Sequence, residues 1–539
     1  MTTRMGLRGA GSWTAVAMSA AFAFGASLSA QTPAQGAQNA AAAPKLALTT
    51  QQPVPPQGAP VLQLSMEQAV QMAVDTNLGL KANRLNVDIA AEATAGAEGA
   101  FKPVASASTF KQNSTRLPSS FTDLTSGSIS TASVSGGASV SQLMPWFGGQ
   151  YSASWNNNRL TTTQPQPVFN PQLSSQVQFS YTQPLLRGFL IDSSRAALAN
   201  SQTQQQVADL DLQLKTITLQ NSVRLAYLNL KAAKSQLDVA QKNLELAQQS
   251  LREDEARVKV GVSAPSDTIQ DQVAVKSNEG FVVQAQGFVE SAQDQLRTLI
   301  LDPNRPDYWT VQIDAIDELV VEAREPDVEA AVKNALANRL DVQEAQRSLE
   351  ITHRTTRLDE NLTKAAVNAI ANYSATSSGG TQFSYSSITD TVGTPTTRSL
   401  GSVLGQTFAG DFPSWSVGVQ VQYPIGRSTA EANLAQQRLN EQQAQINLRA
   451  LQLQVAAAVR QAARDVKNNY QVVQTTRAAL DAAQKQLDDE NRKNELGLSN
   501  TFILIQKQQI LANARISSIG ALVSYNQALL NFERVQRVQ

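Results

Sequence analysis

The side chains that could do metal or nucleophilic chemistry include almost no imidazole and no thiol, which leaves chiefly acids. The 539-residue chain has one histidine, His353, and no cysteine. Zinc sites and Ser-His-Asp triads need imidazole or thiolate at defined spacing, so neither has material here. His353 is flanked by Arg354 and Arg357 and has no second histidine to share a metal with; a solvated helix face is expected. The lack of cysteine also excludes a disulfide, a thiol nucleophile and a lipid-modified N-terminal cysteine. No catalytic residue, metal or cofactor is expected, and the chain is not read as an enzyme. Acids remain. Glu253-Asp254-Glu255 and Asp488-Asp489-Glu490 form either a negative funnel or two solvated coiled-coil faces. Asp267 and Asp271, four residues apart, share a helical face; Asp267 also suits the start of a helix, where its charge balances the dipole. Charged residues make up 16% with zero formal net charge, so no basic surface for nucleic acid is indicated.

These acids lie on a pattern that occurs twice. Val223, Ala226, Leu230, Ala233, Leu237, Ala240, Leu244, Ala247, Leu251, Asp254 and Val258 follow one another at spacings of three and four. That is an a/d seam, apolar except at Asp254. Adding 236 to each number gives Val459, Ala462, Val466, Asn469, Val473, Thr476, Leu480, Ala483, Leu487, Glu490 and Asn494. The phase is kept. Each run reaches a matching stop, Gly261-Val262-Ser263 and Gly497-Leu498-Ser499. A repeat with conserved phase means two copies of one architectural unit.

The N-terminus reads as a signal peptide over 1–30, with Arg4 and Arg8 before an apolar Trp13–Phe24 stretch too short to span a membrane. Residues 31–60, rich in Ala, Gln and Pro, read as a flexible leader. Repeat one spans 64–301: a helix capped by Ser65 and Gln68, a strand region at 103–184, a long helix at 195–260 and a return helix at 266–300. Residues 302–325 link the copies and include a strand-like Val311–Ile316. Repeat two spans 326–537, with a helix started by Asp327, strands within 365–424, a long helix at 431–496 and a return helix at 501–536. At about 1.5 Å per residue the long helices reach about 100 Å.

The strands alternate. Val177, Phe179 and Tyr181 interleave with Gln176, Gln178 and Ser180; Val417, Val419 and Val421 interleave with Gly418 and Gln420. Val104–Phe110 and Val367–Ser374 are partner candidates. Copy one adds a hairpin-like pair, Val134–Val140 and Tyr151–Trp155, around Pro145–Gly149. Such a sheet is either half of a soluble sandwich or part of a membrane barrel. No second apolar layer is evident, which favours the barrel. Four to six strands cannot close one, since the smallest have about eight, and lipid tolerates no open edge. Several chains must then share a barrel. The narrow seam, flanked by Lys231, Lys234, Gln241 and Gln248, suits a single-layer helical wall wet on both sides, hence a tunnel; a coiled-coil spacer is the other reading. Trp146 and Trp155 read either as anchors at the membrane interface or as ordinary strand residues.

The order and double occurrence of Thr182-Gln183-Pro184-Leu185, Gln422-Tyr423-Pro424-Ile425, Val260-Gly261-Val262-Ser263 and Leu496-Gly497-Leu498-Ser499 resemble the outer membrane efflux protein family, the TolC-like channels. The resemblance covers about 64–537. It implies an α+β membrane protein, a homotrimer whose shared 12-stranded transmembrane β-barrel continues into a long α-helical coiled-coil barrel. It implies placement in the outer membrane, surrounded by its lipid and extending into the periplasm. It also implies docking to a periplasmic adaptor protein and an inner-membrane pump, in a tripartite efflux or type I secretion system. A non-conducting periplasmic scaffold is the alternative. The substrate, whether drug, metal or polypeptide, stays open. The tips Gly261, Val262, Ser263, Gly497, Leu498 and Ser499 are expected to dock the adaptor. Family members narrow the periplasmic mouth with aspartates past the second Gly turn, where this chain has Ile503 and Gln506. An acidic ring would therefore come from Asp267 and Asp271; an apolar gate at Ile503 is the other option. The family's usual two strands per copy leave the extra hairpin of copy one unplaced.

Overall fold

The computed structural model describes residues 61–118, 127–261, 265–318, 323–385, 394–426, 428–496, 498–499 and 501–536. The signal peptide and leader expected over 1–60, together with Val262, Ser263 and Gly497, lie outside the described residues.

The two halves carry matching helices. Repeat one holds α1 (Met66–Thr76), α2 (Leu78–Gly99), α3 (Ser193–Lys259) and α4 (Pro265–Ile300); repeat two holds α5 (Val328–Asn338), α6 (Leu340–Leu362), α8 (Thr429–Glu495) and α9 (Thr501–Gln536). The long helices have 67 residues each and the return helices 36 each. Ser65 and Gln68 form the capping box of α1, and Asp327 caps α5 through the Ala330 amide. The single short helix read in each copy is in fact a broken pair. Asn77 ends α1 and its side chain caps α2 by accepting from the Leu80 N–H. Arg339 makes the same break before α6 in extended conformation.

The helices form one layer. Towards the sheet, α2 packs on α3, α3 on α6 and α6 on α8; farther away, α4 packs on α3, α3 on α9 and α9 on α8. Thus α3 and α8 run the full length, with α2 and α4 sharing one flank of α3 and α6 and α9 filling the gap between the long helices. Arg354 of α6 donates to the Ala199 carbonyl and Asn200 Oδ1 of α3. On the other flank of α6, Arg438 of α8 reaches Glu360 at 2.9 Å. The two copies of the seam are buried or half-buried throughout, because a narrow a/d stripe is what a helix in such a wall can hide.

A small parallel pair, β1 (Val61–Leu64) with β6 (Gln312–Ala315), packs across the middle of α3. Tyr227 ties it down: its hydroxyl donates to the Leu64 carbonyl at 2.9 Å and accepts from the Asp317 N–H at 3.1 Å. Burial holds the Tyr227 phenol above its ordinary pKa. Leu230, Leu296 and Ile313, all fully buried, join this core.

The remaining strands form one antiparallel sheet in the order β2 (Val104–Arg116), β3 (Ile129–Leu143), β4 (Gln150–Thr162), β5 (Phe169–Pro184), β7 (Ala366–Gln382), β9 (Pro413–Gln422). The short β8 (Thr396–Arg398) extends β7 beyond the end of β9, and α7 (Leu400–Ala409) follows it. Two strands per copy do not describe this chain, since copy one contributes four long strands. The extra hairpin β3–β4 is neither an appendage nor a loop: it pairs residue for residue between β2 and β5. Its turn is locked from below. Gln183 donates to the Phe147 carbonyl at 2.8 Å, Phe147 stacks on Phe189, and a Cβ on Gly148 would lie 2.5 Å from the Gly188 carbonyl oxygen.

Candidate functional site

The cross-strand register sorts the sheet's side chains by chemistry. Ala105, Val140, Ala153, Phe179, Tyr373 and Trp415 lie in one row across six strands. The row one residue along is Ser106, Ser139, Ser154, Gln178, Ser374 and Ser414. One face is therefore apolar and aromatic, the other Ser/Gln/Asn-rich. A hollow of about 330 Å³ opens on the polar face, lined among others by Ser108, Asn156, Gln176 and Thr376. A sheet forms such a hollow on its concave side, so the sheet curls towards its polar face. That is the curvature of a water-filled barrel with apolar residues outward. Among the described residues no helix is long and apolar enough to cross a membrane. Trp155 stands on the convex face with its indole N–H donated to Ser175 Oγ at 3.1 Å; Trp146 is exposed in the β3–β4 turn.

Both the sheet and the wall end in open edges. Among the described residues β2 and β9 each lack a partner on one side. In the wall, α8 packs chiefly on α5, α6 and α9 among the described residues, and Leu439, Ile446 and Leu453 lie exposed along it. Their spacing of seven is a second coiled-coil stripe with nothing against it. At the opposite edge Leu85 and Ile89 of α2, and Val273 and Phe281 of α4, are also exposed.

At the far ends of the hairpins the seam carries charge. Asp254 and Glu490 are only 3% and 7% exposed. Each acidic run sends one carboxylate into the seam and leaves the others in solvent, so neither run is simply a solvated face. Gly261 has φ 77°, the left-handed region that lets α3 stop. The Leu498 N–H bonds to the Lys493 carbonyl at 2.8 Å, and Ser499 donates to Glu490. Val260, Leu496 and Leu498 stand exposed at the tips.

The structure separates the expected gate residues. Asp271 is buried at 1% exposure within the chain. Ile503 is half-buried and Gln506 exposed. The side chain of Asp267 lies outside the described residues. His353, its own side chain exposed on α6, meets Glu441 of α8 at 3.0 Å; a hydrogen bond from Thr356, then that with His353, holds the Glu441 carboxyl below its usual range. No group of side chains able to hold a metal occurs among the described residues. The α8 edge stripe was readable as a second heptad beside the seam, but the seam masked it.

Residues 128–300 match the model of the outer membrane efflux protein family. The chain has the fold of a TolC-like outer membrane channel. Among solved structures, the Campylobacter jejuni CmeC outer membrane channel is 13% identical, with a TM-score of 0.64 over 87% of this chain and 85% of that one. The outer membrane protein VceC of Vibrio cholerae is 12% identical, with a TM-score of 0.61 over 87% of this chain and 95% of that one. The open state of the Neisseria gonorrhoeae MtrE outer membrane channel is 15% identical, with a TM-score of 0.59 over 87% and 88%. No curated protein sequence matches. Both comparisons are with outer membrane proteins.

Proposed function

We propose that three copies of this chain form an export conduit, passive in itself, across the outer membrane and periplasm. The supporting observation is the pair of open edges. β2 and β9 leave hydrogen-bonding backbone unpaired where lipid would surround it, which costs several kcal/mol per group. The same two flanks carry the unpaired apolar stripes of α8 and of α2 and α4. One rotation of the chain joins β9 to a neighbour's β2 and α8 to a neighbour's α2 and α4.

Six long strands from each of three chains would close an eighteen-stranded wall. Barrels of about 16–18 strands leave an aqueous channel. The polar concave face would line it, and the single-layer helices would continue it.

The exposed apolar tips, with Leu498 the most prominent, would dock a periplasmic adaptor that couples the conduit to an inner-membrane pump. The gate is assigned to Ile503 and Gln506, the candidates that reach a surface past the tip. Asp271 instead serves as a buried hairpin residue.

Native mass measurement in detergent, followed by planar-bilayer recording, tests the conduit. A trimer that conducts ions is expected. A stable monomer, or a trimer without conductance, would favour the scaffold reading instead.

A further inference from the structure

The convex face of the sheet is not apolar along its whole height. On β9 its outward residues run from Val421 through Val419, Val417 and Trp415 to Pro413. That is about 27 Å of strand, or about 21 Å along the axis at a tilt of about 40°. A lipid belt of this kind is about 25 Å tall. Beyond the Trp155–Val177–Ala375 row the outward face turns polar, at Asn157, Ser175 and Ser377.

The helix α7 lies over that polar step. Ser377 donates to Gln406 Oε1 at 2.8 Å. Thr407 Oγ1 lies 3.4 Å from the Ser175 carbonyl and 2.8 Å from that of Val403. Phe408 tilts against Trp155 with ring centroids 5.8 Å apart. Val403 is fully buried on the sheet, and Gly379 makes room for it: a Cβ there would lie 2.5 Å from Val403 Cγ2. The helix is complete in itself. Ser399 caps its start through the Ser402 N–H, and Gly410, at φ 74°, ends it.

Among the described residues the other side of α7 lies open. Leu400 and Phe408 are exposed, Phe408 by 65%, and Phe412 follows, also exposed. No charged residue occurs between Arg398 and Asp411. A surface helix in water normally carries a polar outer face; this one has Ser402 as its one exposed polar side chain and turns Gln406 and Thr407 inward.

We infer that α7 is embedded in the outer edge of the membrane, with Leu400, Leu404 and Phe408 against lipid acyl chains. It covers the polar step and raises the apolar belt of the barrel by about one helix diameter, about 10 Å. The inference rests on the barrel reading above. The occupant is lipid rather than protein because the apolar surface of α7 continues that of Phe179, Tyr373 and Trp415, which the curvature turns outward.

The chain has no cysteine, so single cysteines can be labelled without background. Phe408→Cys and, independently, Leu400→Cys would carry bimane in trimers reconstituted into phosphatidylcholine vesicles. Trp415→Cys serves as the sheet's lipid-face control and Gln176→Cys as the lumen control. Nitroxide-labelled acyl chains should quench positions 408, 400 and 415, and aqueous iodide should quench 176. Quenching of 415 by lipid but of 408 and 400 by iodide would put α7 in water and overturn the inference. Positions 408 and 400 shielded from both quenchers would mean that a neighbouring protomer covers them, which also overturns it. Failure of lipid to quench 415 would instead remove the barrel reading, and this inference with it.

Discussion

Asp254 and Glu490 occupy one position in two repeats. They lie 236 residues apart in sequence, each is buried in its own seam, and each has a cation one turn later. Arg257 approaches Asp254 at 3.8 Å and Lys493 approaches Glu490 at 3.7 Å. A charge kept at the same depth in both hairpins marks the last fully buried layer of each long helix before the tip. Breaking such a pair leaves a buried carboxylate with less compensation, whereas an apolar replacement of the carboxylate removes the desolvation cost altogether. Arg257→Ala should therefore lower the thermal midpoint, while Asp254→Leu should leave it unchanged or raise it. Differential scanning fluorimetry in detergent checks this; the opposite order of the two variants would refute a purely structural role.

The middle of α3 should be far less tolerant. Leu230 is fully buried against Leu296 and Ile313. Leu230→Ala should cost about 2–5 kcal/mol. Leu85→Ala, at the exposed flank of α2, should leave the isolated chain's stability nearly unchanged. Comparing the denaturation of both variants in a background expected to stay monomeric, Ile446→Asp with Leu453→Asp, tests the assignment of the core.

The edge stripe predicts assembly. Ile446→Asp with Leu453→Asp would bury two carboxylates between chains, at a cost of several kcal/mol each without partners. Monomers should accumulate in native mass spectra while helix content by circular dichroism is retained. Unchanged trimer yield would place the interface elsewhere.

Leu498 is 75% exposed at a tip, and it is its backbone N–H that bonds to the Lys493 carbonyl, a contact that a side-chain substitution keeps. Leu498→Asp should abolish export in cells but leave trimer formation and conductance intact. Normal export would take this residue out of the adaptor contact. Ile503→Asp is the companion variant: if Ile503 closes an apolar constriction, it should raise single-channel conductance by wetting it.

Glu344 supplies a pH test. Burial, then the nearby Asp211 and Asp341 carboxylates, pushes its pKa up. The folded chain thus keeps this proton to a higher pH than the unfolded chain does. Stability falls as pH rises from the ordinary glutamate range, about 4.3, through the folded value. Glu344→Gln should melt higher than the parent at pH 7, with the difference vanishing near pH 4. A difference independent of pH would mean that the carboxylate's charge is not its source.

By itself the sequence determined the features that depend on near neighbours. A spacing of three and four fixes which stripe of α3 and of α8 is buried, because helix geometry repeats it every turn. Alternation fixes which faces of β5 and β9 match, and Gly261 ends a helix because it can adopt positive φ. The capped start of α1 was legible in Ser65 and Gln68 for the same reason. Only the tertiary structure decided the rest. The place of the β3–β4 hairpin in the sheet depends on pairing with β2 and β5, strands whose own patterns do not name a partner. The break at Asn77 was written in a capping residue, but two packed helices rather than one follow from contact with α3. The position of α7 over Ser175 and Ser377 depends on elements distant in the chain. Local periodicity says which side of an element is apolar; what covers that side is set by long-range packing, which no single stretch of residues encodes.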